Sequence, residues 1–546
     1  MDSDSRSKIK RGFIPFSLIL LFILACGSQA QIIPTPIVVA TFTSVRLPPK
    51  KTIDASAPSL LHRWVDAIPL GDGDELTLGI TSPTDSSTTR FQWIYVLVTP
   101  FPTIRDGVTL DELHAAWGGS SFNDKPLLMS ESTLGALKSI LGEPASGSVR
   151  SMADDQILNE AWNESAFAIV PFESLSPRWK VLTIDGHAPI QKGFDVSQYP
   201  LSVSFNLQTS SSVQSSKLNM PLSNYDPSKL TTVIVTGTTA LVRATAFKME
   251  QKGITYPGEV VRDLLRGADI THVSNEVSFY DECPTPIPNS SRLVFCSDPK
   301  YMELLNDVGV DVVELTGNHF ADYGRFPMEQ TIAIYKANHV LYYGGGSNIQ
   351  EAIQPALFEV NENKIAFLGC NLPDVNSPEI ATEDHPGSAP CDMDYFASKV
   401  AELKSQGYLV IFTFQWGEDY VPEPSPEQID AFRKMADAGA VIVSGSQAHF
   451  PKTMELYNDS FIHYGLGNLF FDQMGNFDWM PEGIRNEFID RYVIYDGRLI
   501  SVELYTTLLE DFSRPRFLTE PERAVFLDKY FTASGWTPIT AGTSFP

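Results

Sequence analysis

The sequence predicts an α/β protein with a largely parallel core, and three observations carry that reading. Short apolar runs stop abruptly at glycine and polar residues: Thr232 to Val235 at Thr236-Gly237-Thr238, Asp311 to Leu315 at Thr316-Gly317-Asn318-His319, and Leu409 to Phe414 at Gln415-Trp416-Gly417. Helical patterns with their own start signals lie between them. In Ser425-Pro426-Glu427-Gln428 the serine caps and proline takes the first helical position, and Ile429, Phe432 and Met435 then share a face. Strands alternating with helices, with polar groups after the strands, describe a sheet whose site lies at the strand ends. Finally, 546 residues exceed what one hydrophobic core serves, so at least two domains are expected.

Residues 1–25 read as a signal peptide. Arg6, Lys8, Lys10 and Arg11 precede the apolar run Phe13 to Ala25. The run ends Leu24-Ala25-Cys26-Gly27, which resembles a bacterial lipobox. That resemblance implies lipidation of Cys26 and an exported, extracytoplasmic lipoprotein anchored to the bacterial cell membrane by lipid alone. No other stretch is apolar for long enough to cross a bilayer. Residues 26–52, rich in Pro, Thr and Val, read as a linker.

Export leaves Cys283, Cys296, Cys370 and Cys391 in an oxidising compartment, with three pairings open. The sequence-local pairing, Cys283 with Cys296 and Cys370 with Cys391, is expected because each pair brackets a Pro-rich loop. The spacing is wrong for a zinc knuckle. A formal net charge of −26 argues against nucleic acid and anionic membrane surfaces as partners. It leaves room for an anionic polymer held by a local basic patch or a cation.

Residues 53–207 read as a smaller α/β domain: a strand over Phe91 to Val98, a helix capped by Thr109 with Glu112 in the capping-box position, and a strand over Phe167 to Val170. The segments 107–119 and 166–186 resemble a type 2 periplasmic solute-binding domain, which implies a ligand-binding or packing module. A serine-rich stretch makes 208–229 a linker, and 230–546 is the second domain.

In that second domain the strand ends collect Thr238, Glu276, Asn318, His319, Asp322, Gln415, Trp416, His449 and Asn468. A carboxylate, a carboxamide and two imidazoles brought together this way suit either a divalent metal or acid–base work. The pieces 268–279, 311–324, 414–428, 438–450 and 461–472 resemble, in order, the CapA family of poly-γ-glutamate capsule synthesis proteins. The resemblance implies a C-terminal four-layer α/β/β/α metallophosphatase-like sandwich with its site at the strand ends.

The departures from the family pattern bear on mechanism. Thr238 stands where the family has a metal-ligand-like aspartate, Gln415 replaces the first histidine of a His-Trp-Gly, and Ser446 and Gln447 replace two histidines near His449. What carries over is Glu276, Asn318, His319, Asp322 and His449, with Arg243 closing the first motif. Two expectations follow. In one, His319, Asp322 and Glu276 are catalytic, in a metallophosphoesterase-like hydrolase or acyl-transfer factor. One divalent cation (Mn, Zn or Ca) would then sit on Glu276, Asn318, His319 and His449. In the other the cleft holds no metal and does no chemistry, and Arg243, Gln415, Trp416, Gln447 and Asn468 bind an anionic envelope polymer. Either way the partner is that polymer or the machinery that makes it. A solute receptor built on residues 53–207 is the weaker reading, because it would leave the larger domain without a role.

Overall fold

The computed structural model describes residues 47–80, 89–210, 220–372, 377–473 and 481–540. The expected signal peptide, Cys26, most of the expected 26–52 linker and the stretch 211–219 lie outside the described residues. No described helix is long and apolar enough to cross a membrane. Residues 48–546 form one compact unit.

The N-terminal part is a mixed sheet around the twelve-residue strand Thr89–Pro100, which pairs antiparallel with Ser202–Thr209 on one side and Ala168–Pro171 on the other. Thr109 and Glu112 form the expected capping box on the helix Leu110–Trp117. The sheet begins earlier than the sequence suggested. Lys50–Ile53, read as the end of a linker, is an edge strand parallel to Glu75–Ile80. The 208–229 segment also differs from a free tether. Asn224 accepts from Ile94 N (2.8 Å) and donates to Ile94 O (2.9 Å), which stitches its C-terminal end to the sheet. The core of this part includes Leu230, Val493 and Tyr495, so the two halves share buried surface.

The C-terminal half holds two sheets face to face. The first runs Leu341–Tyr343, Val312–Glu314, Ile270–Asn275, Leu230–Thr236, Asn486–Tyr495, Arg498–Glu510, Arg514–Phe517. The second runs Ala356–Val360, Asn363–Asn371, Leu409–Gln415, Ala440–Ser446, Ser460–His463, Met454–Tyr457. Side-chain alternation assigns the layers. Val233, Ile270, Val312, Ile411, Ile442 and Phe461 fill the space between the sheets. Ile234, Val273 and Val313 pack outward with the helices Arg243–Lys252 and Arg325–Ala337, and Phe412, Phe414 and Val443 pack against Met393–Ser405 and Pro426–Ala438. The result is an α/β/β/α sandwich. Strands buried on both faces read as continuous apolar runs, which is why the sequence exposed them.

The parallel expectation holds for the first four strands of the first sheet and the four inner strands of the second. Asn486–Tyr495 and Arg498–Glu510 form a long antiparallel pair that joins Leu230–Thr236 at its edge.

The layer between the sheets changes character along the strands. At the strand starts it is aliphatic; towards the C-terminal ends it becomes His272, Ser274, Glu314, Thr413, Gln415, Ser444 and Ser446, all buried. Tyr343 Oη spans the gap, 2.8 Å from both His272 Nε2 and Thr413 Oγ1. This polar ramp leads from the core to the site.

Candidate functional site

Glu276, Asn318, His319, Gln415 and His449 all leave the C-terminal ends of parallel strands and meet over the ramp. Close backbone approach makes this convergence possible. A Cβ on Gly237 would stand 2.1 Å from Gly467 O, and one on Gly317 would stand 2.3 Å from Glu276 O. Only glycine lets these strand ends touch.

Asn468 holds His449 twice. His449 Nδ1 donates to Asn468 Oδ1 (2.7 Å), and Asn468 Nδ2 donates to His449 O (3.3 Å). The free Nε2 then lies 3.7 Å from Glu276 Oε1. Gln415 Nε2 donates to the same Oε1 (3.2 Å) and to Asn318 Oδ1 (3.4 Å), while Gln415 Oε1 accepts from Ser446 Oγ (2.8 Å). Glu276 is 1% exposed, and its second oxygen, Oε2, has no hydrogen-bond partner among the described residues. A buried, unsatisfied carboxylate oxygen costs free energy, and in a cleft it invites a donor from a ligand.

His319 forms a separate dyad. Its Nδ1 meets Asp322 Oδ2 at 2.7 Å, and Phe295 N donates to the same oxygen at 2.6 Å. The Phe295 ring lies against the imidazole, 4.5 Å between centroids. Burial pushes the His319 pKa down, but the hydrogen bond to Asp322 and the charges of Glu276 and Asp322 outweigh it and hold the pKa above the ordinary value. Phe295 sits on a loop closed by the Cys283–Cys296 disulfide; the second disulfide joins Cys370 and Cys391. Both are the sequence-local pairs.

Other expected residues take different positions. Arg243 is paired with Asp472 (Nη2–Oδ1 2.5 Å), and its guanidinium lies 4.8 Å and 5.1 Å from the Phe295 and Phe471 rings. Burial lifts the Asp472 carboxyl above its usual range despite that partner. Trp416 packs onto Phe414 and Phe432 in the outer layer. Thr238 Oγ1 accepts from Gln447 N (3.2 Å). Arg243, Gln447 and His449 all have left-handed backbones, at φ 42°, 67° and 53°; such strain concentrates at sites that the surrounding fold over-determines. Sequence reasoning missed Phe295, Phe471 and Asp472 as site residues. Asp472 closes the matched piece FIHYGLGNLFFD, which was the one available signal.

Whether this donor set fits a metal can be judged from its geometry. Among the described residues, no group of three or more His, Cys, Asp or Glu is placed to hold one. The Gln415 amide already supplies donors to the Glu276 and Asn318 oxygens that a cation would share. One carboxylate and one free imidazole nitrogen beside it fall short of the ligand sets that hold Zn²⁺ or Ca²⁺. The residues fit a resident cation poorly, and no step is derived through one.

Residues 232–473 match the family model described as bacterial capsule synthesis protein PGA_cap. The capsule biosynthesis protein CapA of Bacillus anthracis is 32% identical over 176 residues, covering 32% of this chain and 43% of that protein. The PGA biosynthesis protein CapA of Bacillus subtilis is 28% identical over 228 residues, covering 41% and 59%. This chain thus spans about half the length of the curated relatives it matches. Among solved structures, Haemophilus influenzae NAD nucleotidase is 12% identical, with a TM-score of 0.32 over 57% of this chain and 56% of that one. The matched residues, 232–473, carry every residue of the cleft described above, and over them the chain is similar to bacterial capsule synthesis proteins.

Proposed function

We propose that this chain is an exported lipoprotein, anchored through Cys26, whose cleft holds an amide-linked anionic capsule polymer such as poly-γ-glutamate without a resident metal. One observation carries the reading: Glu276 Oε2 is buried and unpartnered beside an amide donor, Gln415 Nε2, that occupies Glu276 Oε1 and Asn318 Oδ1. A polyamide backbone supplies the N–H that Oε2 lacks. Gln447 offers a further carboxamide, and the neutral hydrogen-bonding groups at Thr238, Ser446 and Gln447 suit a neutral backbone better than a phosphate.

A catalytic reading rests on a different observation, the His319–Asp322 dyad. With Nδ1 committed to Asp322 and the pKa raised, His319 is placed to act as a general acid through Nε2.

The test uses chelator-treated mature protein and γ-linked glutamate oligomers, followed by calorimetry and product analysis. Saturable binding that is unchanged by added Mn²⁺ and lost in Glu276→Gln supports the proposal. Stoichiometric metal in untreated protein, with binding abolished by chelation, sinks it. Polymer cleavage that disappears in His319→Gln would establish the catalytic reading instead.

A further inference from the structure

A cavity of about 310 Å³ lies away from the cleft, where the N-terminal sheet meets the antiparallel strands of the C-terminal half. Its walls come from Trp179–Val181, from Arg498–Glu510 and from the C-terminal helix Glu520–Ala533. Phe101, Val502, Leu527 and Phe531 give it an apolar lining. The volume is at the lower end of small-molecule sites, and an apolar lining with a few polar groups is their usual composition.

Lys180 Nζ lies 2.7 Å from Asp106 Oδ1, and Arg523 Nη2 lies 2.9 Å from the same oxygen. Lys180 also donates to Thr103 O (2.7 Å) and Ile104 O (3.3 Å), which uses all three of its protons. Arg523 gives Nη1 to Ile104 O (2.6 Å), leaving further guanidinium protons without a protein acceptor among the described residues. The other carboxylate on the wall, Glu503, is held by Arg491 (2.5 Å).

Lys180 and Arg523 on the wall therefore face Asp106, while Glu503 is neutralised by Arg491 from outside the cavity, in a chain of net charge −26. Burial pushes the Lys180 ammonium down to about 8 even with Asp106 beside it. Thr506, 3% exposed, also lines the cavity, and its hydroxyl has no hydrogen-bond partner among the described residues. A buried hydroxyl without a partner calls for a missing one.

We propose that this cavity binds a small amphipathic anion, with a carboxylate or phosphate headgroup on Arg523 beside Lys180, an apolar body against Phe101, Val502 and Phe531, and the Thr506 hydroxyl as a further polar contact. It uses none of the residues of the Glu276 site, so it stands whether or not that site binds polymer. Because its walls belong to both halves of the chain, the ligand would also clamp them together and raise thermal stability by mass action.

The experiment is calorimetric titration of the mature protein with octanoate, octyl phosphate and, as the uncharged control, octanol. One-to-one saturable binding of an anion is expected, with octanol weaker by roughly tenfold, the scale of one charge-assisted hydrogen bond. The tighter of the two anions identifies the headgroup. Arg523→Gln should lose a comparable factor. If that variant does not fold, Thr506→Val and a pH series on the unaltered protein serve instead. Lys180 faces Asp106 from its own half, Arg523 from the C-terminal helix and Glu503 from the neighbouring strand. Anion affinity should therefore fall as pH rises past about 8 and Lys180 loses its charge. The proposal is overturned if neither anion saturates, if octanol binds as tightly, or if folded Arg523→Gln binds unchanged.

Discussion

The wall of the cleft built on the first sheet and the wall built on the second differ in how much hydrogen-bonding capacity they leave open. On the second, Gln415, Ser446 and His449 are buried; Gln415 is bonded to Ser446, and His449 to Asn468 of a short strand that pairs with Thr238–Thr239 of the first sheet. On the first, His319 is about one-fifth exposed, only its Nδ1 is committed, and Glu276 keeps an oxygen with no partner. The second wall is a fixed frame, and the first carries the groups that can still exchange a proton or accept a ligand. Residue types alone do not give this division, because each wall carries one histidine.

The largest effect should come from breaking the buried ion pair at the strand ends of the first sheet. Asp472→Ala removes the partner of Arg243 and leaves its guanidinium, 17% exposed, largely buried and unpaired. Breaking a buried pair this way costs about 3 to 4 kcal/mol, and urea denaturation should show it. A cost below about 1 kcal/mol, the scale of an exposed ion pair, would mean that the pair is not held as a buried contact.

The next effect separates the two disulfides. Replacing Cys283 and Cys296 by alanine opens a loop of sequence separation 13, for a loss of about 2 to 3 kcal/mol. It also frees Phe295 from Asp322, so the His319 titration followed by NMR should move back towards the ordinary imidazole value. Opening Cys370–Cys391, which packs beside the outer layer under Met393–Ser405, should lower stability while moving His319 less. Equal shifts from the two variants would show that the first loop does not position the dyad.

The smallest effect is a pH dependence. The folded pKa of His319 is raised above 6.5, so the protonated imidazole adds stability that is complete below 6.5 and lost as pH rises through the folded value. The melting temperature of the unaltered protein should exceed that of His319→Gln on the acidic side, and the gap should close with rising pH. A gap that widens with pH would contradict the assigned direction.

The sandwich was legible in the sequence where strands are parallel and buried on both faces, because their apolar runs stop at glycine. It was not legible at Asn486–Tyr495 and Arg498–Glu510, where Glu487, Asp490 and Glu503 interrupt the pattern. Two of those carboxyls have partners in the fold: His463 lies 2.6 Å from Asp490, and Arg491 on the neighbouring strand lies 2.5 Å from Glu503. The strand-end residues could be listed from sequence, but their division between frame and open wall could not. It depends on contacts such as Arg243 with Asp472, 229 residues apart, which leave no periodic trace. Trp416 shows the converse: its neighbours in sequence point to the cleft, yet Phe432 on the following helix draws it outward.

The left-handed backbone at Gln447 has a consequence for how the domain tolerates change. Its amide contact with Thr238 needs no side chain, and glycine adopts φ near 67° without strain. Glycine would therefore sit more comfortably there, by about 1 kcal/mol. A lineage selected for fold stability alone would drift towards glycine at this position. The glutamine therefore carries a backbone cost at a position where the main chain alone makes the contact with Thr238.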